Sequence, residues 1–135
     1  MAYKIDEIEG IGPAYAEKLS KAGIATTDDL LDTCSTSAGR KQLTESTGLS
    51  ESHVLRWVNH ADLMRISGIG PQYSELLEAS GVDTVKELAV RNADNLAVKM
   101  EEVNKEKKLA RTSPSNSVVQ GWVGQAKTME PRIKH

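Results

Sequence analysis

The chain has 135 residues, which suits one compact domain or two small modules packed together, and its hydrophobic content of 39% supports a globular fold. Its formal net charge of −2 argues against strong nonspecific attraction of the whole molecule to DNA. The single cysteine, Cys34, rules out an intrachain disulfide, and neither a signal peptide nor a long apolar stretch is evident, so we expect a cytoplasmic protein without a membrane partner.

The first predicted elements flank a glycine turn. In "EGIGPAYAEKLSKAGI", residues 9–24, Pro13 stands where a helix best accepts proline, because the N–H that proline lacks would have no partner there. This helix is expected to end at Gly23, which can adopt the left-handed conformation that follows many helices. Only the short segment "YKIDEI" precedes the turn, so the helix before it should be brief.

Three more helices are predicted before the second glycine turn. Thr26 is the expected N-cap of the next helix, with Asp29 three residues on as its capping-box partner. A third helix covers about residues 37–47 and ends at the following glycine. Ser50 then begins a fourth helix, residues 51–66, which runs without a breaker toward the second turn.

The same order of signals then repeats. Residues 8–31 align with residues 66–89 at an offset of 58, with eleven identities in 24 positions that include every glycine and proline of the first turn. Further on, residues 50–64 match residues 115–129 at an offset of 65, so the second copy contains about seven extra residues. We therefore expect the helix boundaries of the first copy to recur in the second.

No segment shows the sustained period-two alternation of a half-buried strand, so the predicted fold class is all-α. We expect two pseudo-repeated units packed into one compact helical domain. The first unit is placed at residues 1–60 and the second at residues 61–135, with helix 51–66 shared between them. Each unit is too small to bury its own apolar face, so the two should fold together.

The repeated pattern resembles the helix-hairpin-helix family. It reads hydrophobic-x-Gly-hydrophobic-Gly-Pro-x-x-[Ala/Ser]-x-x-Leu and is followed by Gly-[Ile/Val]. The second copy, "LMRISGIGPQYSELLEASGVDTVKEL", is similar to the hairpins of family X DNA polymerases and of bacterial DNA-repair and recombination proteins, and the whole tandem resembles small uncharacterised bacterial double helix-hairpin-helix proteins. The resemblance implies a non-catalytic module that binds the phosphate backbone of DNA or RNA without sequence preference.

The resemblance also implies which groups would contact phosphate. Glycines let the backbone approach an anion with no Cβ in the way, and the helix start offers unpaired N–H groups and the positive end of its dipole. The implied nucleic-acid-binding residues are Gly10, Gly12, Ala14, Tyr15, Lys18 and Lys21 at the first turn, and Arg65, Gly68, Gly70, Gln72 and Tyr73 at the second. Some family members hold a monovalent cation on main-chain carbonyls, which would here map to Asp6, Ile8 and Ile11, or to Met64, Ile66 and Ile69.

The two hairpins are expected to bind anions unequally, the first more strongly. The helix after the first turn carries Lys18 and Lys21, whereas the matching positions after the second turn are Leu76 and Ala79. Arg65 is then the cation nearest in sequence to the second turn. Backbone donors should be similar in both, so the difference is electrostatic.

A basic run near the C-terminus is a further candidate. Residues 99–135 hold 8 Lys and Arg against 4 Asp and Glu, whereas the preceding 98 residues are acidic. Glu101, Glu102 and Glu106, interleaved with the lysines, favour a solvated helix with ion pairs one turn apart. The alternative is a nucleic-acid contact, and the sequence does not decide which hairpin it would approach.

The aromatic residues repeat as well. Tyr15 and Tyr73 occupy the first turn of the helix after each glycine turn, where they can stack on a base or pack inside, and packing is the favoured interpretation. Trp57 and Trp122 lie on apolar helix faces and are expected to anchor the core, because the chain has no Phe.

A competing hypothesis is a protein-interaction or self-association module that keeps the hairpin fold without binding nucleic acid. The residues after each turn proline are Ala-Tyr and Gln-Tyr, whereas DNA-binding members commonly place Lys, Arg, Ser or Thr there. We predict no enzymatic activity and no small-molecule substrate, since His53, His60 and His135 lack partners at metal-ligand spacing and the acidic residues are scattered.

Overall fold

The computed structural model describes residues 3–134, in which all regular secondary structure is helical. Residues 1, 2 and 135, which the predicted units include, lie outside the described residues. A short 3₁₀ helix is followed by eight α-helices: Ile5–Glu7, then α1 Pro13–Lys21, α2 Thr27–Cys34, α3 Ser37–Thr47, α4 Glu51–Leu63, α5 Pro71–Ala79, α6 Val85–Ala89, α7 Ala93–Lys107 and α8 Asn116–Thr128. The all-α fold class is therefore confirmed. No described helix is long and apolar enough to cross a membrane.

Local signals place the boundaries of α1, α2 and α5 as predicted. α1 and α5 begin at the turn prolines, and the glycines that follow their ends, Gly23 and Gly81, have positive φ angles of 87° and 94°. The Thr26 hydroxyl accepts a hydrogen bond from the Asp29 N–H (3.1 Å), and the Asp29 carboxylate accepts one from the Thr26 N–H (3.1 Å). Side chains thus satisfy backbone groups that the helix start leaves unpaired.

The shared helix is shorter than predicted. α4 covers Glu51–Leu63, so the predicted helix 51–66 is wrong in its last turn. There the N–H groups of Arg65 and Ile66 bond to carbonyls three residues back (3.1 Å each), which tightens the chain into a turn. The buried Asp62 holds this turn, because its Oδ1 accepts a hydrogen bond from Arg65 Nη1 (2.6 Å).

Buried side chains form two hydrophobic clusters. The first lies among the 3₁₀ helix and α1–α4, and the second among α5–α8 together with Leu63 from the end of α4. Trp57 and Trp122 are each 2% exposed, one in each cluster, which confirms both as core anchors. Tyr15 and Tyr73 pack on them with ring centroids 5.1 and 5.2 Å apart, in agreement with the packing interpretation.

The C-terminal segment returns to the first cluster, which the sequence did not predict. Ile133 is 9% exposed and belongs to that cluster. The Lys134 N–H donates to the Ser35 carbonyl (2.7 Å), and Arg40 Nη2 donates to the Lys134 carbonyl (2.9 Å). These contacts tie α8 to the first half of the chain, whereas the predicted division assigned the whole segment to the second unit.

Candidate functional site

The two glycine turns have the same backbone geometry. Gly10 and Gly68 have φ angles of 94° and 97°, a region that only glycine adopts at low cost. After each of them a buried isoleucine, Ile11 or Ile69, donates its N–H to the carbonyl three residues back at 3.1 Å. The isoleucines therefore anchor each turn in its cluster while the glycines stay at the surface.

The start of the helix after each turn has no side-chain cap. Gly12 and Gly70 are the N-cap residues of α1 and α5, both with extended backbone, and neither has a side chain to accept from the first N–H groups. Elsewhere a capping side chain supplies that hydrogen bond, as Thr26 does for α2 and Ser50 for α4. Two helix starts therefore keep donors that an external anion can contact.

The first turn is more accessible than the second. Gly12, Pro13 and Ala14 are exposed, and a Cβ added at Gly12 would meet no atom within 4 Å. Gly70 is half-buried, and a Cβ added there would lie 3.9 Å from the Tyr3 hydroxyl. The segment before the first turn thus partly covers the second.

Two carboxylates lie beside the second turn. Glu7 and Glu9 line one surface pocket of about 540 Å³ together with Gly68, Gly70, Pro71, Gln72 and Tyr73. Because Glu9 immediately precedes Gly10, this pocket brings the two glycine turns next to each other. The negative charge opposes phosphate on this side of the second turn.

The cations predicted for the two turns have different surroundings. Lys18 and Lys21 lie with Ser46 and Thr47 around a pocket at the far end of α1, and Lys21 Nζ is 3.2 Å from the exposed carboxylate of Glu17. Such exposed pairs are weak, so both lysines remain open to an anion.

Arg65 differs from these lysines because its guanidinium group already donates hydrogen bonds to two other residues. Its Nη1 donates to Asp62 Oδ1 (2.6 Å), and its Nη2 donates to the Glu130 carbonyl (2.8 Å). Its side chain is only 16% exposed. A phosphate contact at the second turn would have to compete with this pairing, which holds the end of α4 against the C-terminal segment.

The cations near the second turn come instead from the basic run. Lys105, Lys108 and Arg111 share a surface pocket with Gln72, which is one of the predicted site residues. The sequence showed the charge of this run but not its position. The sequence signal for this position is the insertion in the second copy, because α7 is longer than α3 and the loop after α7 is longer than the loop after α3.

A charged cluster joins α4 to α5 near the first turn. Arg56 Nε donates to Glu78 Oε1 (3.0 Å), and Arg56 Nη2 lies 3.5 Å from Glu75 Oε2. The fully buried His60 has Nε2 3.2 Å from Glu78 Oε2 without the alignment of a hydrogen bond. Burial lowers the pKa of His60 against an opposing effect of Glu78, and burial together with Glu9 raises the pKa of Glu75. These groups contact one another and connect α4 in the first half of the chain to α5 in the second half.

The described residues offer little support for a metal centre. Among residues 3–134, no group of three or more His, Cys, Asp and Glu side chains is placed to hold a metal ion, and His135 lies outside that range. Two of the six carbonyls implied for a monovalent cation, those of Ile8 and Ile66, accept the turn hydrogen bonds from Ile11 and Ile69. The monovalent cation stays a prediction. Cys34 is buried, and burial raises the pKa of its thiol to about 11, which disfavours the nucleophilic thiolate.

Comparison with known proteins gives one match. A family model described as a domain of unknown function, DUF4332, matches residues 9–129. No curated protein and no solved structure matches the chain.

Proposed function

The chain belongs to DUF4332, a domain family of unknown function, and we propose that it is a non-catalytic module of two helix-hairpin-helix units that binds nucleic-acid backbone phosphates without sequence preference. The observation that carries the proposal is the pair of uncapped helix starts at Gly12 and Gly70, each entered through a glycine with positive φ. Backbone N–H groups at such a start bind phosphate and do not distinguish bases.

The first turn is the principal contact in this proposal. Its N-cap glycine, Gly12, is exposed, and Lys18 and Lys21 lie further along the same helix. The net charge of −2 and the carboxylates of Glu7 and Glu9 oppose a polyanion, so binding should be weak and should fall steeply between about 50 and 200 mM salt.

Substitution of Gly12 tests this proposal without disturbing the fold. Asp and Asn are both good N-cap residues, and a side chain at this position has free space. Gly12→Asp places a carboxylate over the N–H groups that would bind phosphate, while Gly12→Asn offers a neutral side chain of the same shape. Since a hydrogen bond to a charged group is worth about 1.5–3 kcal/mol, Gly12→Asp should weaken binding about tenfold or more relative to Gly12→Asn.

The measurement is fluorescence anisotropy of a labelled DNA duplex of mixed sequence at low salt, with thermal denaturation of each variant as the stability control. Gly124→Asp adds the same charge on α8, at a position where an added Cβ meets nothing within 4 Å. If Gly12→Asp and Gly124→Asp weaken binding equally, only net charge matters and the hairpin is not the contact.

A second candidate function is a protein-interaction module. The observation that favours it is the pocket lined by Glu7 and Glu9 at the second turn, which suits a neutral or basic partner better than phosphate. Self-association is one form of this function. Sedimentation of the protein over a range of concentrations would detect it, and an assembly that persists at high salt with no DNA binding at low salt would favour this candidate.

A further inference from the structure

The turn after α7 presents three cations around one groove. Lys105, Lys108 and Arg111 line a surface pocket of about 640 Å³, and its other lining residues are Gln72, Asn104, Leu109 and Ala110. None of these residues is acidic, in contrast to the neighbouring pocket that contains Glu7 and Glu9. Gln72 borders both pockets, so the second hairpin has one acidic side and one basic side.

The basic groove is built on an ordered turn. The buried Asn104 side chain accepts a hydrogen bond from the Ala110 N–H (2.9 Å) and donates to the Ala110 carbonyl (3.1 Å) and to the Ser113 hydroxyl (3.2 Å). Lys108 closes α7 with its N–H bonded to the Asn104 carbonyl (2.8 Å). These hydrogen bonds fix the backbone that carries the three cations, which lowers the entropy lost when the cations bind a ligand.

Lys108 occupies a backbone conformation that normally takes glycine. Its φ of 52° and ψ of 48° are left-handed, and the corresponding helix end in the first half, after α3, has Gly48 with φ 76°. A lysine here is less favourable for folding than a glycine would be. Charge at the end of α7 also complements the helix dipole, which is the ordinary structural explanation for a cation at this position.

The positive charge of the groove is free for a ligand. Lys108 and Arg111 are exposed and form no ion pair within residues 3–134, and Lys105 pairs only with the exposed Glu101, at 3.5 Å. An exposed pair of this kind is easily displaced by a phosphate.

We infer that Lys105, Lys108 and Arg111, with Gln72, form a phosphate-binding groove that carries a nucleic-acid backbone past the basic side of the second hairpin. The inference rests on the proposed function, and it assigns the electrostatic attraction beside the α5 glycine turn to the turn after α7 in place of Arg65. It also places beside the second hairpin the basic run that the sequence could not assign to either hairpin.

The test uses a variant that keeps the turn intact. Lys108→Gly together with Arg111→Gln removes two charges, and glycine relieves the left-handed position, so thermal stability should be unchanged or higher. Lys41→Gln together with Lys86→Gln removes the same charge from exposed positions outside the groove and serves as the matched control.

Binding to a duplex of about 20 base pairs and to single strands of DNA and RNA is measured against salt concentration. Loss of two phosphate contacts should reduce the magnitude of the negative slope of log K against log salt by about 1.8 for the duplex and by about 1.4 for single strands. The control should keep the wild-type slope. The nucleic acid whose slope falls by the amount expected for two contacts is the form that lies in the groove.

Three results would overturn the inference, and they differ in what they mean for the proposed function. Equal losses in the groove variant and its control would show that only net charge matters, and the function would stand if Gly12→Asp still weakens binding. If the wild-type protein binds none of the nucleic acids at low salt, both the proposed function and this inference are wrong. Binding of wild-type protein to polyglutamate but not to DNA or RNA would assign the groove to an acidic protein.

Discussion

Ile133→Ala should destabilise the whole protein, although this residue lies beyond the last helix. The substitution removes three buried carbon atoms from the first cluster, which at about 0.8 kcal/mol each corresponds to roughly 2.4 kcal/mol of lost transfer free energy. The site is at the edge of the cluster, 9% exposed, so neighbouring side chains can partly fill the space and the cost should stay near the lower end of the range of about 2–5 kcal/mol. We expect a free energy of unfolding lower by about 2 kcal/mol and a Tm lower by roughly 8 °C.

The assay is urea denaturation followed by both circular dichroism and tryptophan fluorescence. Val90→Ala, at a side chain that is 80% exposed, is the control and should change stability by less than about 0.5 kcal/mol. Because each cluster contains one tryptophan, coincident transitions would also show that the halves unfold together. If Ile133→Ala is as mild as the control, the C-terminal segment does not hold the first cluster and the reasoning fails.

Two further predictions concern the helix packing and the charged cluster between α4 and α5. Gly39→Ala should destabilise the protein by about 1–3 kcal/mol, because the added methyl would lie 2.1 Å from the Thr33 carbonyl oxygen. Gly124→Ala has free space and should stabilise α8 by about 0.5–1 kcal/mol. Thermal denaturation of both variants checks this prediction, and equal effects would contradict it. Burial holds the pKa of His60 below its value in the unfolded chain, so the unfolded chain takes up a proton first as the pH falls below about 6.5. Protonation of His60 should therefore lower the free energy of unfolding by at most about 1.4 kcal/mol per pH unit as the pH falls. His60→Gln should show a shallower decline in urea denaturation between about pH 7.5 and 5.5, and an unchanged slope would mean that other groups cause it.

Local features of the fold could be predicted because they depend on residues close in the chain. Pro13 has no N–H to lose at a helix start, Gly23 tolerates a positive φ, and Thr26 reaches a donor three residues away. Each of these features depends only on residues within one helical turn of one another. The positions of the two tryptophans in the core followed from the period of the apolar residues in the same way.

The surroundings of the candidate site depended on tertiary structure. Glu9 lies beside a turn almost 60 residues further on, Gln72 faces a loop more than 30 residues away, and Ile133 returns to a cluster formed mainly by the first half. Arg65 looked available in the sequence, yet it bonds to the carbonyl of Glu130. Such contacts are set by the angles at which helices pack and by where each loop then ends, and these depend on the sum of many weak side-chain contacts across the molecule. The sequence alone therefore determined which helix starts lack a cap, and the packing of those helices decided which charges stand next to them.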